Sequence, residues 1–442
     1  MRNKMIVLIV LCFTLMLLAL APLNAQDATP AVVECPEGSP NLVIAAGAVG
    51  IELEFLNGML EQYMALCPNV TASALEVPDL TTDRLGLYIQ FLGSRSPIVD
   101  IYNIDTIWPA IVAEHMINYY DFFPADDPRY AQHFPTIIEN NTIDGRLIGM
   151  PWYIDAGLLY YRTDLLEKYG LEIPQTWDEL EIAAKTIQDG ERAAGNAEFW
   201  GYIWQGKLGE PTTVNALEWQ ASNGGGRIIS AEGEVQVDNP ETIAAIERAA
   251  GWINTITPPQ VLGHTPPDSQ RMWESGNIAF MRNWAFAYKV SNEEGKATAG
   301  KFAVTVLPAG DSGERAATLG GWQLAVSKYS EFPDAAVKLV LYLTSYEGQK
   351  QIAQEINYNP TIAALYDDPD VLSATPFFIQ VRDVFQNAVP RPSTVAQGRY
   401  NDISNAYAKA VSEVLNGESD ARTAMEDLGF DLDDLMIEIN GG

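Results

Sequence analysis

Short apolar runs alternate with stretches of helical spacing along the first quarter of the chain. Residues Asn41–Ala46 (NLVIAA) are mostly apolar and end at Gly47, the pattern of a buried strand entering a loop. Residues 52–65 place Leu53, Leu56, Met59, Leu60 and Met64 on one helical stripe. A strand is expected at 70–77, a helix at 82–92 and a third strand at 98–104, ending at Asp105. Strand and helix alternating at this interval argue for an α/β protein with a parallel, doubly wound sheet. Ligands of such sheets bind beyond the C-terminal ends of the strands. Glu52 and Asp105 both stand at such ends.

Residues 149–166 (GMPWYIDAGLLYYRTDLL) organise the rest of the chain. They read as one long strand running into a helix, and as the place where the chain crosses between two lobes. Alternation along a strand puts Tyr153 and Asp155 on one face, with Trp152 and Ile154 on the other. A ring beside a carboxylate suits a sugar, because the ring covers the C–H face and the carboxylate accepts from hydroxyls. The plainer alternative is a core tyrosine and an aspartate that caps a helix or turn.

Further along, Thr176 and Glu179 have the spacing of a capping box opening a helix to residue 187. Strands are expected at 200–204, 276–284 and 302–307, the second of them delivering Trp284 at its end. Residues 223–237 read as a loop and hairpin, and Asn239-Pro240 opens a helix to 256. Residues 318–328 form a second candidate crossing strand. Helices are expected at 334–344, 347–356, 373–389, 401–415 and 421–439. The sequence carries no internal repeat, low-complexity tract or long linker, and two lobes joined by several crossing strands need none.

At 442 residues the chain is too long for one ordinary core, so two domains are the default. Its 27 basic and 58 acidic residues give a formal charge of −31, which disfavours nucleic acid and anionic membranes as partners. Residues 1–25 have the build of a secretory signal peptide: Arg2 and Lys4, then an apolar run from 6 to 21, then Asn24-Ala25. The run is short for a bilayer span, and neither Cys12 nor Cys35 follows a small residue as a lipoprotein site requires. An exported, soluble protein is expected. After cleavage Cys35 and Cys67 remain, in a compartment where disulfides persist. Both fall near the strand starts, at one edge of the sheet if the first two strands are parallel neighbours. A structural bridge is favoured over two free thiols.

Signatures of catalysis and of cofactor binding are missing: there is no GxGxxG, P-loop, HExxH or GxSxG. His115, His133 and His264 show no metal-ligand spacing. Gly224–Gly226 lack the lysine of a phosphate cradle and read as a turn. Asp431, Asp433 and Asp434 lack the glycine and glutamate of a calcium loop and read as a solvated helix face. Tryptophan is the abundant resource, with ten in the chain. Trp284 and Trp322 fall at the ends of strand-like runs, and Gly320-Gly321 before Trp322 would let a ligand approach the backbone closely. A core role is the usual one for a tryptophan.

The segments PWYIDAGLLYYRTDLLEKYG, FWGYIWQGK, FMRNWAFAY, ATLGGWQLAVSKYS and NAVPRP, taken in order, resemble the trehalose/maltose-binding proteins. These belong to the maltose-binding-protein-like, family 1 extracellular solute-binding proteins of ABC sugar importers. The resemblance covers essentially the whole chain after the leader. It implies a bilobed Venus-flytrap fold, with residues 36–155 plus 318–366 in one lobe and 156–317 plus 367–442 in the other. It also implies no enzymatic activity, no cofactor, a disaccharide such as trehalose or maltose as ligand, and membrane permease subunits as partners. Glu52, Arg84, Asp105, Tyr153, Asp155, Trp284, Gly320, Gly321, Trp322 and Arg391 match binding positions of the trehalose/maltose type.

Two departures bear on which sugar fits. The loop Gly47-Ala-Val-Gly50 lacks the usual Gly-Gly-Ala-Pro-like pattern, and Tyr358 stands where a tryptophan is common. A secreted glycoside hydrolase is the rival from another class, since the two working carboxylates it needs could be drawn from Glu52, Asp105 and Asp155. A ligand-carrying sensor for a membrane receptor is a third reading.

Overall fold

The computed structural model describes residues 33–386 and 388–441, so the leader expected over 1–25 lies outside the described residues. Nine strands build the two main sheets. In chain order they are β1 (Asn41–Ala46), β2 (Thr71–Glu76), β3 (Ile101–Asp105), β4 (Met150–Ala156), β5 (Leu158–Arg162), β6 (Trp200–Ile203), β7 (Ile278–Asn283), β8 (Phe302–Val306) and β9 (Leu319–Val326). One sheet has the order β2-β1-β3-β9-β4 and the other β8-β5-β7-β6. Helices cover both, giving the bilobed α/β architecture that the resemblance implies.

Beside β1, the strands β2 and β3 run parallel as expected. The first sheet is nevertheless mixed, because β9 lies antiparallel to both β3 and β4. It returns from the other lobe rather than through a helical crossover, and an antiparallel partner needs no such crossover.

The long strand expected over 149–166 is in fact two. β4 belongs to the first sheet, β5 to the second, and only Gly157 separates them. A Cβ at residue 157 would lie 2.1 Å from Glu218 Oε1 and 2.7 Å from Arg282 Nη2, so only glycine lets the chain turn past that buried pair. The chain returns between β8 and β9. A third pass runs alongside, since Val389 donates to the Ala317 carbonyl at 2.8 Å and accepts from the Leu319 N–H at 2.9 Å.

The helix Glu52–Leu66 buries Phe55, Leu56, Met59, Leu60 and Tyr63, a face rotated slightly from the expected stripe, so Leu53 and Met64 are only half-buried. Thr176 caps the helix Trp177–Ala193, but the Glu179 carboxylate takes the N–H of Gln175, so the expected box is half of one. The reciprocal box forms instead between Thr265 and Asp268. The hairpin expected over 223–237 reduces to a single bridge, Ile229 to Val235. The Gln220 amide occupies that loop's carbonyls, donating to Gly225, Arg227 and Gln236. The helix expected at 373–389 is two, Pro369–Ala374 and Phe378–Gln386, because Pro376 forbids continuation.

Cys35 and Cys67 are bonded, with their Cα atoms 5.4 Å apart. They staple the edge where β1 and β2 begin, and closing a loop of this length is worth about 4 kcal/mol in the chain-entropy model.

Candidate functional site

Between the two sheets lies a cleft of about 300 Å³. The first lobe contributes Glu52 just after β1, Asp105 ending β3, Tyr153 and Asp155 on β4, and Gly320 to Trp322 on β9. The second contributes Gln205 past β6, Arg282 and Trp284 at the end of β7, and the first turns of the helix Glu210–Ser222. Arg391 closes the wall. Nine of the ten residues singled out from the sequence line this one cleft. The exception, Arg84, is fully buried behind it.

The Arg84 guanidinium lies 4.2 Å from the Trp322 ring centroid and donates to the Pro78 carbonyl at 2.8 Å and to Asn103 at 3.1 Å. It presses on Gly47 so closely that a Cβ there would sit 1.8 Å from Nη2. Across the cleft the arrangement repeats. Arg282 lies 4.1 Å from the Trp284 ring, fixed by Glu218 at 2.9 and 2.5 Å and by Gln205 at 3.1 Å. Each tryptophan is thus backed by an arginine over one face. The two lobes also touch, because a Cβ on Gly320 would lie 3.0 Å from the edge of the Trp284 ring.

Arg391 spans the cleft in charge as well as space. It donates to Asp105 at 3.1 Å and to Glu210 at 2.8 Å. Glu210 also accepts from Tyr400 at 2.9 Å and Ser404 at 2.5 Å. Burial opposes the charge on Arg391, but Asp105, Tyr400 and Glu210 outweigh it and hold the guanidinium protonated. Burial also pushes the Asp105 carboxyl up, against the pull of Arg391.

Among the described residues, Glu52 and Asp155 have no such ion-pair partner. Burial raises Glu52 to about 7, with Arg84 pulling the other way. Burial raises Asp155 to about 7 as well, opposed by the N–H groups of Ala156 and Ala285. Asp155 also accepts from the Asn359 amide at 3.4 Å. Tyr358 packs edge-on to Tyr153 at 4.6 Å and its hydroxyl donates to the Val49 carbonyl, so both departures noted in the sequence meet at one wall.

Other sequence candidates fall elsewhere. His115, His133 and His264 pair separately with Tyr329, Thr361 and Ser269. Gly224–Gly226 turn at the end of the helix Glu210–Ser222, and Asp431, Asp433 and Asp434 lie exposed on the last helix. No helix among the described residues is long and apolar enough to cross a membrane.

Sequence reading missed the helix Glu210–Ser222 and, with it, Glu210, Asn215 and the Glu218 clamp. Nearly every residue of that helix is buried, so it has no polar stripe to give its period away. Pro211 after Gly209 was the available start signal.

Two α/β lobes that meet over a cleft lined by tryptophans, carboxylates and arginines define a bilobed periplasmic binding protein. Residues 50–350 match the bacterial extracellular solute-binding protein family, and the chain belongs to it. A probable ABC transporter-binding protein of Deinococcus radiodurans is 47% identical over 81% of this chain and 85% of its own. The maltodextrin-binding protein MdxE of Bacillus subtilis is 26% identical over 50% of this chain and 52% of its own. The solved structure of maltose-bound MalE3 from T. maritima aligns with a TM-score of 0.83 at 35% identity, covering 89% of this chain and 99% of that one.

Proposed function

We propose that this chain captures a disaccharide, trehalose, maltose or a close relative, and delivers it to the membrane permease of an ABC importer. The observation that carries the reading is that Trp322 and Trp284, one from each lobe, line a single cleft whose other walls combine carboxylates and arginines with tyrosine, proline and aliphatic side chains. Pyranose rings present C–H faces to indole and hydroxyls to carboxylates, and charge-assisted hydrogen bonds of this kind contribute roughly 1.5–3 kcal/mol each. Glu52, Asp105, Tyr153, Asp155, Arg391 and the Gly320-Gly321 backbone take the sugar, while Arg84 positions Trp322. The lobes divide at 36–155 plus 318–366 and 156–317 plus 367–442, a division supported by the sheet to which each strand belongs. Because contacts from both lobes stabilise only the closed form, the ligand shifts the population toward it. The leader over 1–25 is removed on export, and the mature protein stays outside the membrane, held to the cell by its transporter.

Tryptophan fluorescence titration of the mature protein with trehalose, maltose, sucrose and glucose tests this. Saturation with one disaccharide is expected, and silence from all four would remove the disaccharide from the site.

The raised carboxyls of Glu52 and Asp155 favour a second reading, hydrolysis by an acid and a base. Burial is the largest cause of both shifts, with lesser upward pushes from Asp79 on Glu52 and from Glu218 on Asp155, and we hold the protein to be a binder. Prolonged incubation with the bound sugar should return it uncut; released glucose would reverse that judgement.

A further inference from the structure

Three side chains lining the cleft carry a buried polar atom with no hydrogen-bond partner among the described residues: Glu52 Oε1, Arg391 Nε and Asn215 Oδ1. Folded proteins pair nearly all their buried polar atoms, so each exception asks what it serves. Glu52 and Arg391 are already assigned to the sugar. Asn215 is not.

Asn215 belongs to the helix Glu210–Ser222, which presents Glu210, Pro211, Val214 and Asn215 to the cleft, the spacing of one helix face. The residue is fully buried. Its amide is held in one orientation, because Nδ2 donates to the Pro211 carbonyl at 2.8 Å and to Gln205 Oε1 at 3.4 Å. Gln205 is fixed in turn, donating to the Arg282 carbonyl at 2.6 Å and accepting from the Arg282 guanidinium at 3.1 Å. The Glu218 clamp on Arg282 completes the chain. With the donor end of the amide spent on protein, the acceptor Oδ1 is what remains.

We propose that Asn215 is a ligand-binding residue of the second lobe, its Oδ1 accepting a hydrogen bond from one hydroxyl of the bound sugar. The inference rests on the disaccharide reading. A neutral acceptor beside the Gln205–Arg282 pair suits a neutral hydroxyl better than a cationic donor. A site built this way discriminates against an analogue lacking that hydroxyl, since the buried oxygen is then left unpaired.

The test is calorimetric titration of the wild type, Asn215→Ala and Asn215→Asp with maltose and its monodeoxy analogues, or the trehalose set where trehalose is the tighter ligand. The wild type should bind one monodeoxy analogue about tenfold more weakly than the parent sugar. Asn215→Ala should lose about tenfold for the parent and no longer distinguish the two. Asn215→Asp keeps an acceptor oxygen while losing the donor to Pro211, so it should retain most of the affinity even where its unfolding midpoint falls. Unchanged affinity in Asn215→Ala, or equal losses in both variants, overturns the inference and leaves the disaccharide reading in place. A wild type that binds none of these sugars overturns that reading and takes the inference with it.

Discussion

Arg391 and Asp105 are 286 residues apart in the chain, yet the guanidinium of one lies 3.1 Å from the carboxylate of the other. The same guanidinium reaches Glu210 at 2.8 Å. Asp105 ends a strand of the first sheet, and Glu210 opens a helix of the second lobe. One cation therefore neutralises two acids from opposite sides of the cleft, all three of them buried.

Replacing Arg391 by leucine should cost about 3–5 kcal/mol, because it strands two buried carboxylates without a counter-charge. Urea unfolding measures the loss. Adding Asp105→Asn and Glu210→Gln to the leucine variant should recover much of it, and failure of that rescue would mean the arginine stabilises through packing alone.

Trp322→Ala should weaken sugar binding by roughly tenfold or more, about 1.4 kcal/mol, while the protein remains folded. The ring is only half-buried and rests edge-on against Trp108 at 5.6 Å. Affinity equal to wild type by fluorescence or calorimetry would take Trp322 out of the site. Arg84→Met, which removes the cation behind the ring, should lower affinity by a smaller factor.

Gly157→Ala should destabilise by about 2–4 kcal/mol, since the new methyl meets the buried Glu218–Arg282 pair, and displacing one partner of such a pair is costly. The same change should disturb Trp284, which Arg282 backs, and shift the intrinsic fluorescence of the sugar-free protein. A midpoint of thermal unfolding equal to wild type would show that the crossing has room that its geometry does not suggest.

How much the sequence disclosed depends on how each feature is encoded. β1 was legible to the residue, because a buried strand between a loop and a glycine is a dense apolar run. Glu52 and Asp105 were legible because clefts open at strand ends, whereas Trp322 lies inside β9 rather than at the end of a run and was marked only by the Gly320-Gly321 pair before it. The break at Gly157 was not, since two strands in different sheets share one apolar run when both are buried. The helix carrying Glu210 and Asn215 was hidden by its own burial, which erases amphipathic contrast. Arg282 stood beside Trp284 in FMRNW, but only its contact with Glu218, itself on the unseen helix, gives it meaning.

The pH dependence of stability provides a last prediction, carried by Glu52. Burial raises its carboxyl from 4.5 to about 7 in the folded protein. Between those values the folded state keeps a proton that the unfolded chain has released, so the unfolding free energy falls as pH rises through this window. Asp155, raised from 3.8 to about 7, acts in the same direction. His133 opposes them: burial lowers it from 6.5 to about 3, so its contribution is lost as pH falls through that interval. The wild-type curve mixes these slopes, and a difference between variants separates them. Glu52→Gln keeps the side chain's shape and has no proton to lose. Its stability relative to wild type should therefore climb between pH 4.5 and 7, by on the order of 3 kcal/mol, and level off above. Urea unfolding of both proteins across pH 4 to 8.5 measures it. A difference that stays flat with pH would show that Glu52 titrates alike in the folded and unfolded chain, with Arg84 cancelling the effect of burial.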